Sequence, residues 1–250
     1  HFAVATLPPA RSPPSPAMRV LAVLTSGAVL ASAIRTRRDD DPCECLNWQQ
    51  VYKRNGAKCG DGHELSFVLR TGMVDWLARL MYNVEFCYNF FMRIDDNPCV
   101  NMVMDNQPGE WYNNQWCYVA KECPTATSLN TSSLLGAKIC EPGKDNMLRD
   151  KTPFELREMA KEHDLSIGLL MKMAYPVEEE AKWPHVEALF RNDSAIALAS
   201  VNASAVARLR YLQSTGASYV LDSEKGRAPF GVIKGGKTYL IEKDEVNRQE

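Results

Sequence analysis

Asp61, His63 and Glu64 stand within the stretch CGDGHEL, and carboxylates beside an imidazole are groups that move protons near neutral pH. A hydrolase centred on them is one reading of the chain. No nucleophile motif accompanies the trio: the sequence has no G-x-S-x-G, no H-E-x-x-H, no Gly-rich phosphate loop and no C-x-x-C pair. The other histidines are His1, His163 and His185. The catalytic candidates therefore stop at Asp61, His63 and Glu64.

A different chemistry is offered by EWYNNQWCYVAKEC, which holds two Trp, two Tyr and two Cys between residues 110 and 123. Trp116 adjoins Cys117, and a tryptophan against a disulfide is a common core arrangement. Trp111 and Tyr112 sit instead among Gly109, Asn113 and Asn114, in a polar loop. Two readings stand side by side. The rings pack inward, or Trp111 and Tyr112 stack on a sugar or a partner protein while Asn113 and Asn114 reach hydroxyls.

The eight cysteines are Cys43, Cys45, Cys59, Cys87, Cys99, Cys117, Cys123 and Cys140. An even number in one block reads as a disulfide framework in an exported chain and as metal ligands in a cytosolic one. Without a paired C-x-x-C, zinc is the poorer reading. Eight cysteines allow ~105 pairings, and sequence does not choose among them. Cys43 and Cys45 are too close to bridge each other, so each needs its own partner. Asp95, Asp96, Asp105 and Glu110, with Asn97 and Asn106, carry oxygen ligands but lack the spacing of a calcium loop. No metal and no cofactor is expected.

The compartment is read from the N-terminus. Met18-Arg19, the apolar run VLAVLTSGAVL and Ala31-Ser32-Ala33 give the charged, apolar and small-residue order of a secretory signal over 18–33. The run is too short for a membrane span of ~20 apolar residues. Residues 1–17, rich in proline, read as upstream sequence or a disordered leader outside the fold. Arg35-Thr36-Arg37-Arg38 reads either as a processing site ending at Arg38 or as a solvated basic run. From Asp39 onward 24 basic residues face 31 acidic ones, a net charge of −7. Such a surface repels phosphate backbones and anionic lipids, so nucleic-acid and membrane-surface partners are not expected. Sequons at Asn130, Asn192 and Asn202 agree with passage through a glycosylating pathway.

The elements that must position these groups fall into two parts, a cysteine-rich domain at 39–140 and a second domain at 151–250. In MVDWLARLMYNVEFCYNFFM, Met73, Leu77, Leu80, Val84, Cys87 and Phe91 recur at spacings of three and four, predicting one helix with an inward stripe. Phe86, Phe90 and Phe91 are expected in the core. Asn97 to Cys123 reads as irregular and 124–151 as a surface loop. Thr152-Pro153-Phe154-Glu155 signals a capped helix, IGLLMKMAY a second and residues 178–190 a third with Pro184 in its first turn. AIALASV reads as a strand, SAVARLRYLQSTG as a helix stopped by Gly216, ASYVLD as a strand, and PFGVIKGGKTYLIE as a hairpin turning at Gly235-Gly236. The fold class is α+β: a disulfide-rich, mainly helical and irregular domain, then a small α+β domain with a C-terminal hairpin.

FCYNFF, Asn97-Pro98-Cys99-Val100-Asn101, EWYNNQWCYVAKEC and KICEPGKDNMLRDKTPFEL together resemble an uncharacterised, expanded family of secreted cysteine-rich proteins of dinoflagellate algae. In that family a CVN segment, a WCYV–C segment and an MLRD–P–EL segment follow in this order. The resemblance runs over about residues 43–176 and does not reach the tail beyond 190. It implies export and disulfides, and, because the family has no assigned activity, no catalytic residue. Plastid proteins of such algae also begin with a signal, but a transit segment follows it; here Cys43 comes almost directly after the basic run. The chain is therefore expected to be secreted or held at the cell surface. There its role would be structural or adhesive, through protein or glycan contacts, with a carbohydrate-binding module and a secreted hydrolase as the alternatives.

Overall fold

The computed structural model describes residues 41–250, apart from 70–71, 106–108, 110, 130, 192–201, 224–226, 244 and 250. The signal segment 18–33, the leader 1–17, Arg38 and the strand expected in AIALASV lie outside the described residues.

Helix α1 (Trp48–Lys53) starts where the Asn47 side chain accepts from the Gln50 backbone N–H, satisfying one orphan donor of the first turn. After α2 (Ser66–Leu69) comes α3 (Asp75–Tyr82), which widens into a π-helical turn at Asn83–Tyr88 and is followed by a 3₁₀ turn at Phe91–Arg93. The single helix predicted here is thus three windings, and its stripe faces inward only at its end: Leu80 is 71% and Val84 62% exposed, while Cys87 and Phe91 are buried. The buried side chains are Ala78, Phe86, Cys87, Phe90 and Phe91. A widened turn changes the angular step per residue, so a phase counted at three and four cannot be carried through it. Cys87 and the three phenylalanines are inside as expected. Trp76, Leu80, Val84 and Tyr88 form the exposed row instead.

The next segment forms a sheet where irregular chain was expected. Strands β1 (Val100–Asn101), β2 (Gln115–Ala120), β3 (Thr127–Ser128) and β4 (Leu135–Ile139) pair antiparallel in the order β1-β2-β4-β3. Both faces of β2 are buried, which removes the polar alternation that marks a half-buried strand. Trp116 and Tyr118 join the main core cluster beside Trp48. Cys117 and Val119 point the other way, into a cluster with Cys45, Cys99, Cys123 and Cys140. Trp116 accordingly meets the rings of Trp48 and Tyr118, each with centroids 5.0 Å away, while its neighbour's sulfur occupies the opposite face.

The C-terminal half follows its sequence signals closely. Thr152 and Glu155 close a capping box on α4 (Pro153–Glu162), and Ser166 caps α5 (Ile167–Ala174). Then come β5 (Val177–Glu178), α6 (Trp183–Phe190) with Pro184 in its first turn, and α7 (Ala203–Thr215), which ends at Gly216 in the left-handed conformation. Strands β6 (Tyr219–Leu221), β7 (Phe230–Lys234), β8 (Lys237–Glu242) and β9 (Glu245–Gln249) complete a sheet ordered β5-β6-β7-β8-β9. The hairpin turns at Gly235 and Gly236, both with positive φ. Alternate residues divide this sheet: Leu221, Ile233 and Leu240 pack on α6 and α7, whereas Val220, Phe230, Val232 and Ile241 belong to the main cluster. That cluster takes side chains from Trp48 through Val246, on both sides of residues 141–151. At the sheet edge the Val177 N–H donates to the Met104 carbonyl at 2.6 Å, tying β5 to the loop after β1. No helix among the described residues is long and apolar enough to cross a membrane.

Candidate functional site

The two sheets approach each other around a recess of about 270 Å³ walled by Tyr112, Asn113, Arg149, Tyr175, Tyr219 and Lys234. Its geometry begins at Gln115. That side chain is buried; its Nε2 donates to Asn101 Oδ1 at 2.9 Å and to the Ala174 carbonyl at 3.2 Å. Its Oε1 accepts from the Arg149 backbone N–H at 3.3 Å. One amide thus joins β1, the end of α5 and the 3₁₀ turn Leu148–Asp150. Leu148 is fully buried, which anchors the turn and leaves Arg149 to reach outward.

The Arg149 guanidinium is held by neutral partners. Nη1 donates to Asn113 Oδ1 at 2.8 Å and Nη2 to Asn101 Oδ1 at 3.4 Å. Asn113 has φ 59°, a left-handed conformation that asparagine tolerates better than most side chains. The turn is closed by the Tyr112 N–H donating to Gly109 O at 3.1 Å and the Asn114 N–H donating to Trp111 O at 3.2 Å.

Opposite stand the residue after α5, β6 and the end of β7. Lys234 Nζ donates to the Arg149 carbonyl and lies 5.3 Å from the centre of the Tyr175 ring, within cation–π range. Burial pulls both the Arg149 and the Lys234 cations below their ordinary pKa values, against the opposing field of Asp150. Burial raises Tyr175, and burial with a hydrogen bond to Tyr112 raises Tyr219, so both phenols stay protonated at neutral pH.

No protein-family model, curated protein or solved structure matches the chain.

The aromatic loop divides between its two readings. Tyr112 and Asn113 line the recess. Trp111 is half-buried against the main cluster, with its ring centroid 5.9 Å from that of His63, and the Asn114 carbonyl accepts from Met102 N–H at 3.0 Å. Arg149, Tyr175, Tyr219 and Lys234 carry no local motif that sequence reading could seize on; they meet only through the fold. Arg149 does fall in the quoted MLRD segment.

Asp61, His63 and Glu64 diverge despite their proximity in sequence. Asp61 accepts from the Lys58 N–H at 2.8 Å and faces Arg79 at 3.7 Å. His63 Nδ1 is 3.2 Å from the hydroxyl of Ser66, whose residue is buried away from solvent. Burial lowers the His63 pKa. Glu64 turns into the core, where Oε1 accepts from Tyr118 at 2.6 Å and Tyr52 at 2.8 Å, and Oε2 from the Gly62 N–H at 3.0 Å. The three hydrogen-bond to different groups, although Asp61 and Glu64 both act electrostatically on Tyr52, Arg79 and Tyr118.

All eight cysteines are paired, as Cys43–Cys123, Cys45–Cys117, Cys59–Cys87 and Cys99–Cys140. Cys43 and Cys45 take different partners, as their spacing requires. The sulfurs of Cys45, Cys99, Cys117 and Cys140 gather within 4.8 Å, and the two disulfides they form stack in one buried layer. Among the sequons, Asn130 and Asn192 lie outside the described residues. Asn202 is exposed and caps α7 through Oδ1, which accepts from Ser204 N–H at 2.9 Å; the nitrogen a glycan would use is the other side-chain atom.

Proposed function

We propose that this chain is an exported, disulfide-bonded interaction protein that works by contact, holding a sugar unit in the recess beside Tyr112. The single observation that carries the reading is that recess: about 270 Å³, walled by Tyr112, Tyr175 and Tyr219, with the Asn113 amide at its rim. Small-molecule sites begin at ~300 Å³ for drug-sized ligands, so a space slightly smaller suits one ring. Tyr112 and Tyr219 offer ring faces for the C–H side of a sugar and hydroxyls for its polar edge, while Tyr175, fully buried with its hydroxyl donating to the Lys151 carbonyl, closes the floor. Export is supported by the four disulfides, by the signal pattern at 18–33 and by the motifs resembling secreted dinoflagellate proteins. Asn202, exposed at a helix start, is the described residue proposed to carry a glycan.

A glycan array probed with the wild-type protein and with Tyr112→Ala tests the reading. Selective binding by wild type that is lost in the variant is the expected result. An array blank for wild type would overturn it.

A further inference from the structure

We propose that the recess selects an acidic sugar, one bearing a carboxylate or sulfate group, through Arg149 and Lys234. This rests on the sugar-binding reading above and names its ligand class. Both cations line the recess, and among the described residues neither forms an ion pair. The partners of Arg149 are amide oxygens, and that of Lys234 is a backbone carbonyl, none of which carries a countercharge. Among the described residues the buried Arg149 Nε has no hydrogen-bond partner. A partly buried cation without an anion is costly to maintain, and here two converge.

Several other cations with little exposure are paired. Lys172 meets Asp222 at 2.6 Å, Arg208 meets Glu178 at 2.9 Å and Lys138 meets Asp145 at 2.8 Å. Arg149 and Lys234, which both border the recess, have no such pairing among the described residues. Asp150 lines the recess as an exposed residue and Glu155 acts on Lys234 from α4, but among the described residues neither carboxylate comes within ion-pairing distance of the two cations. An oxyanion entering the recess would supply the ion-pair partner that Arg149 and Lys234 lack there. A guanidinium offers a planar fork to carboxylate or sulfate and the ammonium a second point of charge, while Tyr112 and Tyr219 hold the ring that carries the anion.

The test is titration calorimetry of the full-length protein with three probes: galacturonate oligomers, sulfated galactose oligomers and neutral galactose oligomers. Free sulfate and a poly-glutamate peptide serve as further probes. At least one acidic oligomer is expected to bind tenfold or more tightly than the neutral one. The preference should disappear in Lys234→Gln and in Arg149→Gln, and return in Lys234→Arg, which also shows that the position accepts substitution without unfolding. Which acidic oligomer binds separates carboxylate from sulfate as the group recognised. Equal binding of acidic and neutral oligomers overturns the anion inference and leaves the sugar reading standing. Binding of sulfate or poly-glutamate with no saccharide binding overturns the sugar reading. No binding of any probe overturns both.

Discussion

Lys138 Nζ lies 2.8 Å from Asp145 Oδ1 in a place where both side chains are almost sealed from solvent, at 2% and 7% exposure. The lysine also donates to the Cys43 carbonyl at 2.7 Å, and Asp145 Oδ2 accepts from the Glu141 N–H at 2.7 Å. The pair therefore fastens the start of the cysteine-rich segment to its end, beside the layer of stacked disulfides. Removing one partner strands the other charge in the interior. Lys138→Met should cost about 3–5 kcal/mol, and Lys138→Met with Asp145→Leu should recover part of the loss. Urea unfolding of the two variants decides the matter; a single variant as stable as wild type contradicts the buried pair.

Leu80 and Phe91 share the predicted stripe but not their environment, since Leu80 is 71% exposed and Phe91 is fully buried. Leu80→Ser is expected to change stability by no more than ~0.5 kcal/mol. Phe91→Ala, by contrast, should lose ~3–5 kcal/mol. Similar losses at both positions would restore the continuous helix that the sequence spacing suggests.

Glu64 gives a pH signature of defined sign. Burial raises its pKa above the ordinary 4.5, and this outweighs the hydrogen bonds from Tyr118 and Tyr52 that favour the charged form. The folded state then holds the proton more tightly than the unfolded state does. The contribution of Glu64 is fully present below its unfolded pKa and is lost as pH rises through the folded one. Lowering the pH from 7 towards 5 should stabilise wild type more than Glu64→Gln, read as the shift in urea midpoint. Identical shifts in the two proteins would contradict the assignment.

Gly231 occupies a position that β-strand propensity would not choose. A Cβ there would sit 2.9 Å from ring atoms of both Phe190 and Trp183. Gly231→Ala must push α6 off the sheet, at an expected cost of ~1–3 kcal/mol by overpacking. Calorimetry that finds the variant unchanged in Tm would mean that these rings can move aside freely.

Much of the C-terminal half was legible because its signals are local. Thr152 and Glu155 make their capping box within one turn, and Gly235-Gly236 make their hairpin between paired runs. The first sheet was not legible, for a physical reason visible at β2. Trp116 and Tyr118 feed one core, Cys117 and Val119 another, and a strand buried on both sides has no polar face to alternate with. The recess was half legible: a polar aromatic loop pointed to Tyr112 and Asn113, whereas Arg149 and Lys234 are brought to it by Gln115 and by the end of β7. Asp61, His63 and Glu64 show the reverse, neighbours in sequence whose side chains go to separate partners.

The framework on which the recess depends is the set of four disulfides, and peptide mapping of the purified, unreduced protein by mass spectrometry tests it most directly. The expected map joins Cys43 to Cys123, Cys45 to Cys117, Cys59 to Cys87 and Cys99 to Cys140. Free thiols at these positions, or zinc held by Cys45, Cys99, Cys117 and Cys140, would contradict both the fold and the exported role argued from it.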